Sequence, residues 1–186
     1  MNRFLLIFLI TVTTAYSQPK KDSVEHFKLK KLELRRDIFA LNIPKRKNWV
    51  NDFEKLFSDE EKNNLNNIIT KVEGETSFEI VIVTLDTNNV SSENFEAMSL
   101  KIAQTWAVGK HKKENGILIA ISKGYRRLRI QNGNGIEKIL TNNQTQNLID
   151  NYFIPEFKKG NYYQGTLDGL NEIIKLLYKE TTTNRR

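Results

Sequence analysis

The hydrophobic pattern of the chain alternates between two periods. Phe78-Glu79-Ile80-Val81-Ile82-Val83-Thr84-Leu85 and Gly116-Ile117-Leu118-Ile119-Ala120-Ile121 carry apolar, largely β-branched residues on both alternations, which predicts strands covered on both faces. Arg127 to Gln131 alternates strictly. Leu128 and Ile130 point one way and Arg127, Arg129 and Gln131 the other, which predicts a half-buried strand. It follows a short hairpin turn at Ser122-Lys123-Gly124-Tyr125 and runs into Asn132-Gly133-Asn134-Gly135, residue types that tolerate positive φ and tight folding.

Helical spacing fills the intervals. Ser58-Asp59-Glu60-Glu61 is a capping box, followed by Leu65, Ile68, Ile69 and Val72 on one face, with Gly74 as a left-handed stop. Ser92 is placed to cap a helix striped by Phe95, Met98, Ile102 and Trp106, which Gly109 ends. Thr141-Asn142-Asn143-Gln144 is a second capping box, leading into Leu148, Ile149, Tyr152 and Phe153 as far as Pro155. From Asn161 a last helix carries Tyr163, Leu167, Leu170, Ile174 and Leu177, with Gly165 and Gly169 one turn apart for close packing. Strand, helix, strand at this spacing implies a parallel crossover, and the whole order predicts an α/β fold: a three-layer α/β/α sandwich on a small mixed β-sheet.

The N-terminal region reads differently. Met1-Asn2-Arg3, an apolar run from Phe4 to Val12, and Ala15-Tyr16-Ser17 read as a signal peptide over residues 1–17, cleaved near Ser17/Gln18. The run is shorter than the ~20 residues of a spanning helix. This places the protein in the periplasm or outside the cell. Residues 18–47 form a basic extension, with a helical pattern from Val24 to Leu41 that Pro44 ends; Phe27, Leu34, Ile38 and Leu41 fall along one face. That stripe fits either a helix docked on its own domain or a basic amphipathic helix at an anionic membrane surface or a partner. The main domain spans 48–180, and 181–186 is a polar tail.

The formal charge of +7 changes meaning once it is located. Lys20 to Lys47 holds ten Lys and Arg against four acids, whereas from Asn48 onward there are eighteen of each. The domain is balanced, so no nucleic-acid partner is expected, and an envelope or membrane protein is the expected partner. No cysteine is present, which removes disulfides, thiolate metal sites and cysteine nucleophiles.

Candidate chemistry narrows to oxygen ligands. The histidines are His26 in the extension and His111 in a lysine-rich loop, so Ser-His-Asp catalysis and histidine-type zinc sites lack their parts. Gly133-Asn134-Gly135 follows the third long strand and lacks a third glycine at Lys138, so no nucleotide cofactor is expected. Asp52, Glu114, Asn134, Glu137 and Asn142, with Asn115, Asn132 and Asn143 beside them, are expected to converge at one end of the sheet. Such hard oxygens suit Ca2+ or Mg2+, and Asp52 and Glu137 are the candidate catalytic carboxylates. Each also has an ordinary reading, as a turn former, a helix-start residue or a surface carboxylate.

The ordered series Val50-Asn51-Asp52, Leu56-Phe57-Ser58-Asp59-Glu60-Glu61, Glu79 to Thr84, Trp106-Ala107-Val108-Gly109, Glu114 to Leu118, Arg127 to Ile130, Gly133 to Glu137, Ile139-Leu140-Thr141, Ile154 to Phe157 and Gly160-Asn161-Tyr162 resembles the TPM domain family over roughly residues 48–179. The resemblance implies an α/β/α sandwich in exported or membrane-associated proteins, which act in photosystem repair in plants and modulate a receptor in animals. It also implies a divalent-cation site and a phosphatase activity proposed for plant members. Asn142 stands where members often carry aspartate, and an amide brings a cation no charge and cannot be a general base. The expectation is therefore a noncatalytic, chaperone-like interaction module of the envelope, with a metal-dependent phosphatase-like hydrolase as the alternative.

Overall fold

The computed structural model describes residues 21–109 and 114–183. Residues 1–17, read from sequence as a signal peptide, the expected cleavage point and His111 lie outside the described residues. In chain order the elements are α1 (Lys21–Leu41), β1 (Val50–Asp52), α2 (Asp59–Thr76), β2 (Glu79–Thr84), α3 (Phe95–Thr105), β3 (Gly116–Ser122), β4 (Arg127–Asn132), α4 (Asn134–Glu137), α5 (Asn142–Leu148), a π-helical turn (Ile149–Phe153), α6 (Ile154–Lys158) and α7 (Tyr162–Thr183).

The strands form one sheet in the order β1-β2-β3-β4. β1, β2 and β3 are parallel, and β4 returns antiparallel to β3. Alternation on the two central strands sorts the core into two layers, as the sequence predicted. Ile80, Ile82, Ile117, Ile119 and Ile121 face α2 and α7, meeting Leu65, Ile69, Leu170, Ile173 and Leu177. Val81, Val83, Leu118 and Ala120 face α3, meeting Phe95, Met98, Ile102 and Trp106. Fully burying one such side chain is worth about 1.5–3 kcal/mol, which is how a cysteine-free chain of this length holds together. The result is the three-layer α/β/α sandwich on a mixed sheet.

Local signals behave as their chemistry dictates at both capping boxes. Ser58 accepts from the Glu61 amide and Glu61 reaches back, and Thr141 and Gln144 do the same for α5. Gly169 lies against the ring of Phe153: a Cβ there would come within 2.0 Å of it. Other local expectations are corrected. α2 runs past Gly74 to Thr76, and the left-handed residue is Ser77 at φ 65°. α3 begins after Asn94 and not at Ser92. Pro155 does not break the chain's helical course; the turn before it widens to π geometry, which accommodates the missing N–H. α7 extends to Thr183, into the segment expected as a polar tail.

The glycine-asparagine stretch after β4 is also corrected. None of Asn132, Gly133, Asn134 and Gly135 has positive φ. Gly133 is needed for close approach instead, since a Cβ there would lie 2.3 Å from the Glu114 carbonyl oxygen. The amides of Gly133, Gly135, Ile136 and Glu137 all donate to nearby carbonyls, so they are not turned toward a ligand.

Candidate functional site

Three parallel strands end along one edge of the sheet, at Asp52, Thr84 and Ser122. In α/β sheets the crevice beyond such ends is the usual ligand position. Asp52 builds its first wall. Its carboxylate accepts from the amides of Leu56 at 3.0 Å and Phe57 at 2.9 Å, and from the Thr84 hydroxyl at 2.6 Å. The Thr84 oxygen in turn accepts from the Glu54 amide at 2.8 Å. This fixes the loop between β1 and α2 and sends the Glu54 side chain across to the β3–β4 turn. There its two oxygens accept from the Lys123 and Gly124 amides, each at 2.8 Å.

The opposite wall is the junction of α6 and α7. Gly160 turns the chain at φ 87°, and the Phe157 and Tyr162 rings pack at 4.8 Å between centroids. Between the walls lies a crevice of about 900 Å³. Its floor is apolar, with Ile154, Phe157 and Tyr162, and its rim carries Lys123, Arg126, Arg127, Lys158 and Lys159. Arg127 is engaged with Glu96 and the Ser92 carbonyl, and Lys159 with Glu156. Lys123 stands 5.8 Å over the Tyr162 ring. No ion pair among the described residues engages Lys123, Arg126 or Lys158. Burial pushes the Glu54 carboxyl above its ordinary value, against the lowering effect of the two amides; the Asp86 charge adds to the rise and the Lys123 charge opposes it. Burial likewise raises the Tyr162 hydroxyl, with the Glu54 charge next, against Arg126. The arrangement can hold an anionic group on the rim with an apolar part on the floor.

The residues expected to converge on a cation do not form one set. Asp52 lies at the carboxyl end of the parallel strands. Antiparallel β4 carries the glycine-asparagine stretch to the other end, where Asn132 pairs with Ile117 at the start of β3. Glu114 and Asn134 line a separate cleft of about 390 Å³ there. Glu137, at the end of α4, and Asn142, the first residue of α5, are exposed. β2, whose six residues join the two ends, is about 20 Å long. Among the described residues no three His, Cys, Asp or Glu side chains stand together as a metal ligand set. Asp52 has both oxygens committed to backbone and Thr84, which is a structural role. Asn132 donates to the Leu140 carbonyl and the Thr145 hydroxyl, tying β4 to α5.

The reading from sequence missed Glu54, Arg126, Lys158 and Tyr162. Glu54 sits two residues beyond β1, inside the region where a crevice is expected, but its partner amides are 69 and 70 residues away in sequence. Nothing local marks it.

A mixed sheet between two helical layers, with a crevice beyond its parallel strand ends, defines the class: a three-layer α/β sandwich domain. The family model described as TPM domain matches residues 50–176, and the chain belongs to that family. Among solved structures it is similar to the N-terminal domain of a protein from P. gingivalis, with 27% identity, 76% of this chain and 88% of that one covered, and a TM-score of 0.65. It is also similar to BA42 from the psychrophilic bacterium Bizionia argentinensis, at 24% identity over 68% of this chain and 85% of that one, TM-score 0.58. The N-terminal domain of the cg2496 protein from Corynebacterium glutamicum shares the fold at 16% identity over 69% and 79%, TM-score 0.53. No curated protein matches the chain significantly.

Proposed function

We propose that this TPM domain protein is an exported, noncatalytic accessory module of the cell envelope that docks an acidic, partly apolar segment of a partner protein in the crevice beside Glu54. The observation that carries this reading is the rim of Lys123, Arg126 and Lys158, which no ion pair among the described residues engages, beside the apolar Ile154, Phe157 and Tyr162. Export rests on the sequence of residues 1–17. The separation of the carboxylates expected to act together also supports a binding role. A divalent cation has no part in the proposal, because Asp52 is committed elsewhere and the other four donors lie at the far end of the sheet.

The test is fluorescence anisotropy with a labelled peptide that alternates Asp and Trp. Wild type binds it, and Arg126→Ala with Lys158→Ala weakens binding by about 5–10-fold, since a rim charge contributes up to ~1 kcal/mol. Equal binding by the double variant, or binding indifferent to salt, rejects the proposal.

A second reading, a metal-dependent phosphatase-like hydrolase, is favoured by one observation: a half-buried carboxylate with a raised pKa faces cations in the crevice. Under this reading purified protein with Ca2+ or Mg2+ releases phosphate from p-nitrophenyl phosphate, Glu54→Gln abolishes the release, and the cation raises the melting temperature. Absence of cation-dependent release, or full activity in Glu54→Gln, rejects it.

A further inference from the structure

We infer that α1 is a membrane-surface helix, which lays its outward face on an anionic bilayer while its other face stays docked on the domain. This goes beyond the crevice reading and does not rest on it. The stripe that the sequence leaves open between docking on the domain and facing a membrane or partner, Phe27, Leu34, Ile38 and Leu41, is not the face that packs. The packed face is Phe39, Arg36 and Ala40: Phe39 is buried edge-on to Phe53 at 5.8 Å, Arg36 donates to the Thr87 carbonyl and the Tyr125 hydroxyl at 3.0 Å, and Lys101 donates to the Ala40 carbonyl at 2.7 Å.

At 3.6 residues per turn the two faces are nearly opposite, about 170° apart around the axis. The outward stripe therefore points away from the domain, and with Val24 its side chains are between 38% and 79% exposed. A helix docked on its own domain has no use for five exposed apolar side chains in one line. The charges on α1 are sorted in the same sense. Lys28, Lys31 and Arg35 are exposed and border the stripe within about 100° of its centre-line. On the other edge Lys30 lies about 60° and Asp37 about 80° from the centre-line, while Glu25 and Glu33 lie farther round, toward the docked side.

This segregation selects the occupant. An apolar stripe whose edges carry four cations, Lys28, Lys30, Lys31 and Arg35, against one acid, Asp37, complements an anionic lipid surface, in which the apolar residues enter the headgroup boundary and the cations meet phosphate. The helix is about 30 Å long and docked only through its C-terminal half, so the domain leaves the stripe unobstructed. No helix among the described residues is long and apolar enough to cross a membrane, so attachment through α1 is peripheral.

The experiment is sedimentation of the chain from Gln18, which lacks the apolar run of residues 4–12 and keeps α1 whole, with vesicles of phosphatidylcholine, with and without about one third phosphatidylglycerol. Wild type cosediments with the anionic vesicles in low salt and is released in high salt, where the screening length falls to about 3 Å at 1 M. Lys28→Gln, Lys31→Gln and Arg35→Gln together lower affinity about a hundredfold, from about 1 kcal/mol for each cation at an anionic surface. Phe27→Ser, Leu34→Ser and Ile38→Ser abolish binding and leave the thermal melt in place, because none of the three is buried. Full retention of binding by either triple variant overturns the inference. So does a concentration-dependent dimer, lost in the serine variant, with no vesicle binding, which would assign the stripe to a second copy of the chain.

Discussion

Replacing Asp52 by alanine separates a structural carboxylate from a catalytic one. The side chain accepts three hydrogen bonds, from the amides of Leu56 and Phe57 and from the hydroxyl of Thr84. Thr84 is fully buried and Phe57 nearly so, whereas Leu56 is half-buried. An orphaned buried donor costs about 1–3 kcal/mol, and water can reach the Leu56 amide, so the loss comes to about 2–4 kcal/mol. For a chain of this size each kcal/mol lowers the melting temperature by about 2–4 °C, so a fall of about 4–16 °C is expected. Urea denaturation of wild type, Asp52→Ala, Thr84→Val and the double variant measures it. Because Thr84 links Asp52 to the Glu54 amide, the two single losses are not additive, and the coupling exceeds about 0.5 kcal/mol. Protease cleavage within 53–57 also rises in Asp52→Ala. A variant within 0.5 kcal/mol of wild type, or strict additivity with Thr84→Val, refutes the reasoning.

Two glycines on helices respond in opposite senses. Gly169→Ala is destabilised by about 1–3 kcal/mol despite alanine's better propensity, because the Phe153 ring fills the Cβ position, and Phe153→Leu recovers part of the loss in a melt. Gly74→Ala, exposed in α2 with nothing within 4 Å, gains about 0.5–1 kcal/mol in the same assay. Glu54 sets a pH dependence: its folded value is raised, so its stabilising contribution is full below the ordinary value of 4.5 and is lost as pH rises through the folded value. Glu54→Gln therefore flattens the plot of urea midpoint against pH over that window, and an unchanged slope contradicts the assignment. Thr141→Ala removes the α5 cap and costs about 1 kcal/mol by thermal melting.

Whatever depends on neighbours in sequence was legible from the chain alone. The double-sided apolar runs of β2 and β3 dictate a sheet buried on both faces, since every alternate side chain must find a layer to leave water. The capping boxes at Ser58 and Thr141 close within three residues and need no tertiary help. Tertiary structure decided what depends on direction and distance. Strand β4 runs against β3, as the hairpin turn read at Ser122 to Tyr125 already implies, and the expected convergence fails because that reversal carries the glycine-asparagine stretch to the amino edge of the sheet while Asp52 stands at the carboxyl edge. Glu54 acquires its partners only when a loop and a turn some 70 residues apart are brought together by parallel pairing. The α1 pattern offered one apolar stripe with two readings, and the side that packed was selected by Phe53, Thr87 and Tyr125, groups far along the chain whose placement exists only in the folded domain.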